Sequence, residues 1–497
     1  MIAVEEDEVL LAIAENLAKF RAYMKDDKFI ATFPLYQTLL CAEETVVRET
    51  TIESMREIVK SLSDDLIVSH VIPIIYNISG QENFTGRVSA VYMIRMVYQK
   101  AGKEKEKLRT VYFKLCDEDL PLIKRAAAKE FGSLCKVMEK EVVNPDMINY
   151  FKKFMNESDS IRVLLLNSLV DLVKLFNNTE LQRINIQVVV AASDDKSWRV
   201  RHELARIFPE LIDGFGSQIN ELVPTFSNLI KDGETEVKIA ALEGLNKVIE
   251  NINSEKVSIC IIPSILMLSG EGSPHVKALI GESLGPIAKH VGYSTFSSKL
   301  NNMFEALLKD TNSDVRLGVA KSLYDIFITS DQALLKSIST TIGGLLKDTQ
   351  YKIREQVYIT LAKLGAAYGL DTFKAHIEPL YFGFLTDTVS AVRDRGVETL
   401  DIINSKFGQT WVANTLIPKL MTGLSQQKTS YLHRVTIISS VAQCAKNLNP
   451  TNINDAVIPN LLKCVKDKIP NVRFYLVKKL GMVLEYADST GRDKIKS

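Results

Sequence analysis

Apolar residues return with a helical period along nearly the whole chain. From Trp198 onward, Val200, Leu204, Ile207 and Phe208 fall at i, i+4, i+7 and i+8 and make one apolar stripe. Sustained strand alternation is absent. The pattern predicts helices of about 15 residues, each closed by a polar turn. Such regular spacing calls for a repeat search before any division into domains.

The stretch "DDKSWRVRHELARIF" supplies the probe: an acid, a short polar turn, then Val-Arg leading an apolar run. The same grammar recurs as "EETVVRETTIESM", "DLPLIKRAAAKEF", "ETEVKIAALEGL", "NSDVRLGVAKSL", "VSAVRDRGVETL" and "PNVRFYLVKKL". Its basic residues are Arg48, Arg87, Lys124, Arg162, Arg201, Lys238, Lys277, Arg316, Arg354, Arg393, Arg434 and Arg473, separated by 37 to 41 residues. A weaker copy, "EDEVLLAIAENL", precedes them. Prolines keep the phase 14 residues before the basic residue at 34, 73, 224, 263, 379 and 459. Pro418 lies 16 before Arg434, which marks a two-residue insertion. An acid stands six before the basic residue at Glu118, Asp195, Asp232, Glu271, Asp310, Asp348, Asp387 and Asp467. That is far above what 60 acids in 497 residues would place there by chance.

A repeat of this length holds two helices and two turns. One pair cannot bury two apolar stripes, so neighbours must stack. The expectation is an all-α, α-α superhelix (a solenoid) of about 12–13 helix pairs, on the order of 100–130 Å long at the usual helix spacing. It runs as one continuous domain over 1–488, with a polar tail at 489–497. The phased proline fits the start or a kink of the first helix. The acid can charge-match the start of the second, and each Arg or Lys is expected to reach the acid of the next layer in a ladder along the inner turns.

Composition narrows the function. Lys plus Arg is 61 and Asp plus Glu is 60, which offers no general attraction to nucleic acid or an anionic membrane. No apolar run is long enough to span a bilayer. The opening "MIAVEEDEVLLAIAENL" lacks the basic region and apolar block of a signal peptide. Six scattered cysteines form no CxxC and read as reduced thiols of a cytoplasmic protein, with the nucleus as a second compartment. The six histidines have no metal-ligand spacing, so no metal and no cofactor are expected. Phosphate-loop, GxSxG, HExxH and phosphatase active-site blocks are all missing, which points away from an enzyme. The run "KEKEKLR" (103–109) reads as a solvated helix face.

Trp198 sits between Lys196 and Arg199 on a polar turn, outside the apolar stripe. Aromatic and Arg side chains are frequent interface anchors, so this turn reads as a protein-docking knob. Trp411, before a first helix, reads as packed between layers.

Two-helix repeats with phased Pro, Asp and Val-Arg resemble HEAT repeats. "KSWRVR", "EETVVRETTIESM", "DEDLPLIKRAAAKEFG", "FGQTWVANTLIPKL" and "SYLHRVT" go further: they resemble the scaffold (A-type regulatory) subunits of protein phosphatase 2A, in order from about Asp7 to about Tyr486. The resemblance implies a horseshoe beginning at the inner turn of the family's second repeat and ending after its fourteenth. It also implies a heterotrimer, in which the inner turns tether a catalytic subunit to a regulatory B-type subunit. Carried over, Pro121, Lys124, Arg125, Ser160, Lys196, Ser197, Trp198 and Arg199 become regulatory-subunit contacts. Tyr351, Lys352, Arg354, Ser390, Arg393, Tyr431, Leu432, His433 and Asn471 become catalytic-subunit contacts, on a side spanning about 340–488. Tyr351 stands where the family usually has a tryptophan, Ser390 stands where an aromatic residue is usual, and "QQKT" (426–429) is inserted in a turn. The rival readings are a HEAT-type cargo adaptor such as a nuclear-transport receptor, a diverged paralogue that no longer binds the catalytic subunit, and an enzyme with a concave-face site.

Overall fold

The computed structural model describes residues 6–139, 147–175, 179–330, 335–424 and 430–496, with side chains for all but 27, 179–182 and 335–339. The insertion "QQKT" lies outside the described residues. Helices and their turns account for the described residues, with no strand among them. The chain forms two compact units, Met1–Gly244 and Leu245–Ser497.

In the first unit the second helices of successive pairs are Thr45–Ser61, Phe84–Val97, Pro121–Cys135, Asp159–Leu175 and Trp198–Phe215. The predicted stripe on the last of these is buried: Val200, Leu204 and Phe208 have no exposed surface and Ile207 has 1%. Small residues let adjacent layers approach. The backbone N–H of Gly132 donates to Ser168 Oγ at 3.0 Å, and a Cβ on Gly132 would lie 2.8 Å from Ser168 Cα.

The second unit repeats the scheme with Pro274–Val291, Ser313–Ile328, Tyr351–Tyr368, Ser390–Trp411, Tyr431–Cys444 and Pro470–Leu484. Gly281 and Gly318 let the first two of these touch backbone to backbone. A Cβ on Gly318 would lie 2.3 Å from the Ala278 carbonyl oxygen. Gly292 and Gly369 close their helices at φ 82° and 88°, a left-handed backbone that costs a side-chain-bearing residue energy. Trp411 is buried against Phe373 and Phe407, as its position implied. The final stretch, Ser489–Lys496, is helical and packs Gly491 against Asn454.

Most of the phased prolines mark helix starts, and the reason is local; Pro224 instead lies inside the helix Ile219–Ile230. Pro73, Pro263, Pro379, Pro418 and Pro459 each follow one π turn, at Ile67–Val71, Val257–Ile261, Phe373–Ile377, Val412–Leu416 and Ile453–Val457. The wider turn accommodates a residue that lacks an N–H and would clash with the carbonyl four back.

The run 103–109 departs from its expected role as a simple solvated face. Lys105 Nζ lies 2.7 Å from Glu139 Oε1, and Arg109 Nη1 donates to the Tyr98 hydroxyl at 2.7 Å. That hydroxyl donates to Glu139 Oε2 at 2.9 Å. Desolvation opposes ionisation of Glu139, but hydrogen bonds from Lys105, its own backbone N–H and Tyr98 together outweigh it and hold its pKa down at about 2. The charges are spaced to close on an acid from the next layer, which no local pattern reveals.

Candidate partner-binding turns

Several of the turns before second helices are built around their acid. Asp195 Oδ1 accepts the Ser197 N–H at 2.8 Å, closing the turn that launches Trp198–Phe215. Asp348 does the same for Gln350 at 2.9 Å, and Asp387 for Val389 at 2.9 Å. Such side-chain-to-backbone bonds favour a turn over continued helix.

The same acids receive the basic residue of the preceding layer. Arg162 grips Asp195 with Nε and Nη2, both at 2.8 Å. Arg201 pairs with Asp232 at 2.7 Å, Arg316 with Asp348 at 2.7 Å, Arg354 with Asp387 at 2.7 Å and Arg434 with Asp467 at 2.8 Å. Lysine serves at rungs such as Lys124–Glu157 at 2.6 Å and Lys277–Asp310 at 3.0 Å, and Arg87 reaches Glu118 at 3.1 Å. Each arginine also holds its own turn: Arg201 Nη1 donates to the Asp195 carbonyl, Arg316 to that of Asp310 and Arg354 to that of Asp348. The expected ladder is therefore present in both units. Glu157 was missed as a rung because it stands five, not six, before Arg162. The 33-residue step from Lys124 was the signal that could have found it.

The ladder sorts the candidate residues. Lys124, Arg354 and Arg393 are held inside it: Lys124 on Glu157, Arg354 on Asp387, and Arg393 Nη1 on the Asp387 carbonyl at 2.7 Å. Arg354 and Arg393 thus converge on one residue, and each is over 90% buried. What faces solvent is the set of residues between acid and ladder base.

In the first unit these are Pro121, Lys196, Trp198 and Arg199, all exposed, with Ser160 and Ser197 half-buried; Arg125, one residue past its ladder base, is exposed as well. The structure brings Ser160's turn against the Trp198 turn through Asp159. Ser197 Oγ donates to Asp159 Oδ2 at 3.0 Å, and Arg199 Nη1 lies 3.7 Å from the same oxygen. The Ser197 hydrogen bond leads in pulling the Asp159 pKa below the ordinary carboxylate range. Arg199 stacks over the Trp198 ring at 5.3 Å, and His202 meets the ring edge-on at 6.2 Å. The indole is held upright on its turn with 37% of its surface in water.

In the second unit Tyr351, Lys352, Ser390, Tyr431, Leu432 and Asn471 are exposed on four successive turns. His433 is half-buried and burial lowers its pKa; its N–H is capped by Ser430 Oγ at 3.2 Å. Among the described residues no group of His, Cys, Asp or Glu could hold a metal. The chemistry these turns offer is non-covalent: aromatic rings and cations on a rigid support.

A family model for a PIK3R4-like middle domain matches residues 216–436. The chain is 30% identical to the beta isoform of the 65 kDa A-type regulatory subunit of serine/threonine-protein phosphatase 2A from Homo sapiens, over 64% of this chain and 55% of that one. It is 28% identical to the A-type regulatory subunit of protein phosphatase PP2A from Saccharomyces cerevisiae, over 44% of this chain and 37% of that one. The chain thus spans about half or less of these curated relatives. Among solved structures, the Kap95:Nup1 complex superposes with a TM-score of 0.70 at 14% identity, covering 100% of this chain and 68% of that one. That likeness carries the fold, an all-α HEAT-type repeat of stacked helix pairs.

Proposed function

We propose that this relative of the A-type subunits of protein phosphatase 2A is itself a non-catalytic scaffold in a serine/threonine phosphatase complex. The second unit's exposed turns, Tyr351 to Asn471, would hold the catalytic subunit. The first unit's turns, centred on Trp198, would hold a regulatory B-type subunit. The observation that carries this reading is the match to the A-type subunits of Homo sapiens and Saccharomyces cerevisiae. It is supported by the sorting of each turn into buried ladder residues and exposed aromatic and basic ones. The mechanism is tethering: two partners on one chain see each other at a high effective concentration. The cytoplasm, with the nucleus as a second compartment, is where such a complex would act; imaging of a fluorescent fusion tests that.

The purified chain should release no phosphate from a phosphopeptide and should capture a phosphatase catalytic subunit from its own cell extract. Recovery of no catalytic subunit would overturn the reading. The Kap95 likeness, at 14% identity, does not by itself favour a cargo-carrier alternative.

A further inference from the structure

Among the described residues, the rung at Arg48 lacks its acid. Arg48 occupies the ladder position of its layer and is 8% exposed. Its own-turn contacts are complete: Nη1 donates to the Ala42 and Glu43 carbonyls at 2.7 and 2.6 Å, and Nη2 to Thr45 Oγ1 at 3.1 Å. These are the same relative positions, six and five residues back, that Arg201 uses. The next-layer carboxylate is what differs. Six residues before Arg87, where eight of the other turns carry Asp or Glu, stands Gln81, and its Oε1 accepts the Cys41 thiol at 3.1 Å. Among the described residues no carboxylate lies within ion-pair distance of Arg48. The contrast shows in acidity: aspartate partners raise the pKa of Arg201, Arg316 and Arg354, whereas burial lowers that of Arg48.

Arg48 also lines a groove of about 550 Å3 that crosses four successive layers of the first unit. Buried Ile52 and Ala126 and half-buried Val88 line it, and Phe84 and Leu122 stand beside them 40% and 55% exposed. Arg125 and Lys129 add two cations; neither has an ion-pair partner among the described residues. Glu43 and Glu49 also line the groove, so an unbroken acidic run fits poorly.

We propose that this groove docks a short partner segment in which acidic and apolar residues alternate. One carboxylate completes the rung at Arg48, a second meets Arg125 and Lys129, and the apolar side chains lie against Phe84 and Leu122. Charge complementarity and the repeated rung geometry select this occupant. A carboxylate at this place is what the other rungs hold, and a paired guanidinium favours bidentate carboxylates. The surface shares Arg125 with the proposed regulatory-subunit contacts, does not include the Trp198 turn, and extends the reading of the first unit as a partner platform.

The probe is a fluorescein-labelled peptide of alternating Leu and Glu, with a Gln-for-Glu version as control, read by polarisation on the full chain. The Glu peptide should bind at least about tenfold more tightly than the Gln peptide. Gln81→Glu should supply the missing carboxylate from within. It should raise the melting midpoint and weaken the Glu peptide by about tenfold. Arg48→Gln should weaken it similarly, and Leu122→Ser should weaken both peptides. Equal binding of the two peptides, or undiminished binding by a stable Gln81→Glu chain, would overturn the proposal. Catalytic-subunit capture should be unchanged in Gln81→Glu. Its absence in the unaltered chain would instead overturn the scaffold reading and leave the peptide result standing.

Discussion

Arg316 closes on Asp348 through two parallel hydrogen bonds, Nε to Oδ2 at 2.7 Å and Nη2 to Oδ1 at 3.0 Å. Asp348 in turn accepts the Gln350 N–H and offers its carbonyl to Arg354. One residue thus links three events: the end of one layer's reach, the launch of a helix, and the anchoring of the next arginine. Arg316→Met should lower stability by about 2–4 kcal/mol, because Asp348 is left desolvated without its partner. Residual water contact at both side chains keeps the cost below that of a fully buried pair. Arg316→Lys should cost about 1 kcal/mol, since an ammonium cannot reproduce the two-point grip. Urea unfolding midpoints of the three chains check both values.

The ladder should make the protein acid-labile. Burial opposes ionisation of Asp348, Asp387 and Asp467, yet their arginines and turn N–H groups outweigh it and depress all three. A depressed folded-state pKa adds stability that is fully present above the unfolded value of about 3.9. It is lost as pH falls through the folded values. Stability should therefore be flat near neutrality and fall steeply below about pH 4. Asp387→Asn should be less stable than the unaltered chain at pH 7, and the deficit should shrink as pH falls below about 4. A deficit that stays constant over that range would refute the linkage.

Layer spacing can be tested at two glycines of the second unit. Gly318→Ala places a methyl group 2.3 Å from a backbone oxygen that cannot rotate away. It should cost about 1–3 kcal/mol through forced separation of the helices. Gly481→Ala meets nothing within 4 Å and should stabilise the helix Pro470–Leu484 by about 0.5–1 kcal/mol. Thermal melts of both variants give the comparison.

Partner contacts should separate by unit. Trp198→Ala should weaken binding of a B-type regulatory subunit by more than about 1 kcal/mol. Catalytic-subunit binding should be nearly unchanged. Tyr431→Ala should do the reverse. Surface plasmon resonance with each partner checks the pattern; equal losses for both partners in both variants would indicate unfolding in place of local contact.

Much of this was legible in the chain because a repeat protein states its rules many times over. The apolar stripe at Val200, Leu204, Ile207 and Phe208 is buried as its spacing requires. The phased acids and bases meet as predicted, since the same short turn recurs between the same two helices. Trp198 could be placed in the polar turn, outside the stripe, from spacing alone. The exposed tyrosines of the second unit were reached through the family resemblance and not through any local signal.

By itself the sequence determined the helix-pair repeat, the turn grammar and the identity of most rung partners, because those depend on contacts repeated at a constant step. Only the tertiary structure decided which basic residues are free. Arg354 and Arg393 share Asp387, Lys105 and Arg109 fold onto Tyr98 and Glu139, and Arg48 lines a groove without its acid. Most of these depend on whether a charged group finds a partner some 30 to 40 residues away once layers stack. A side chain's availability is set by the desolvation and pairing that packing imposes, and a linear pattern records only where such a meeting is possible.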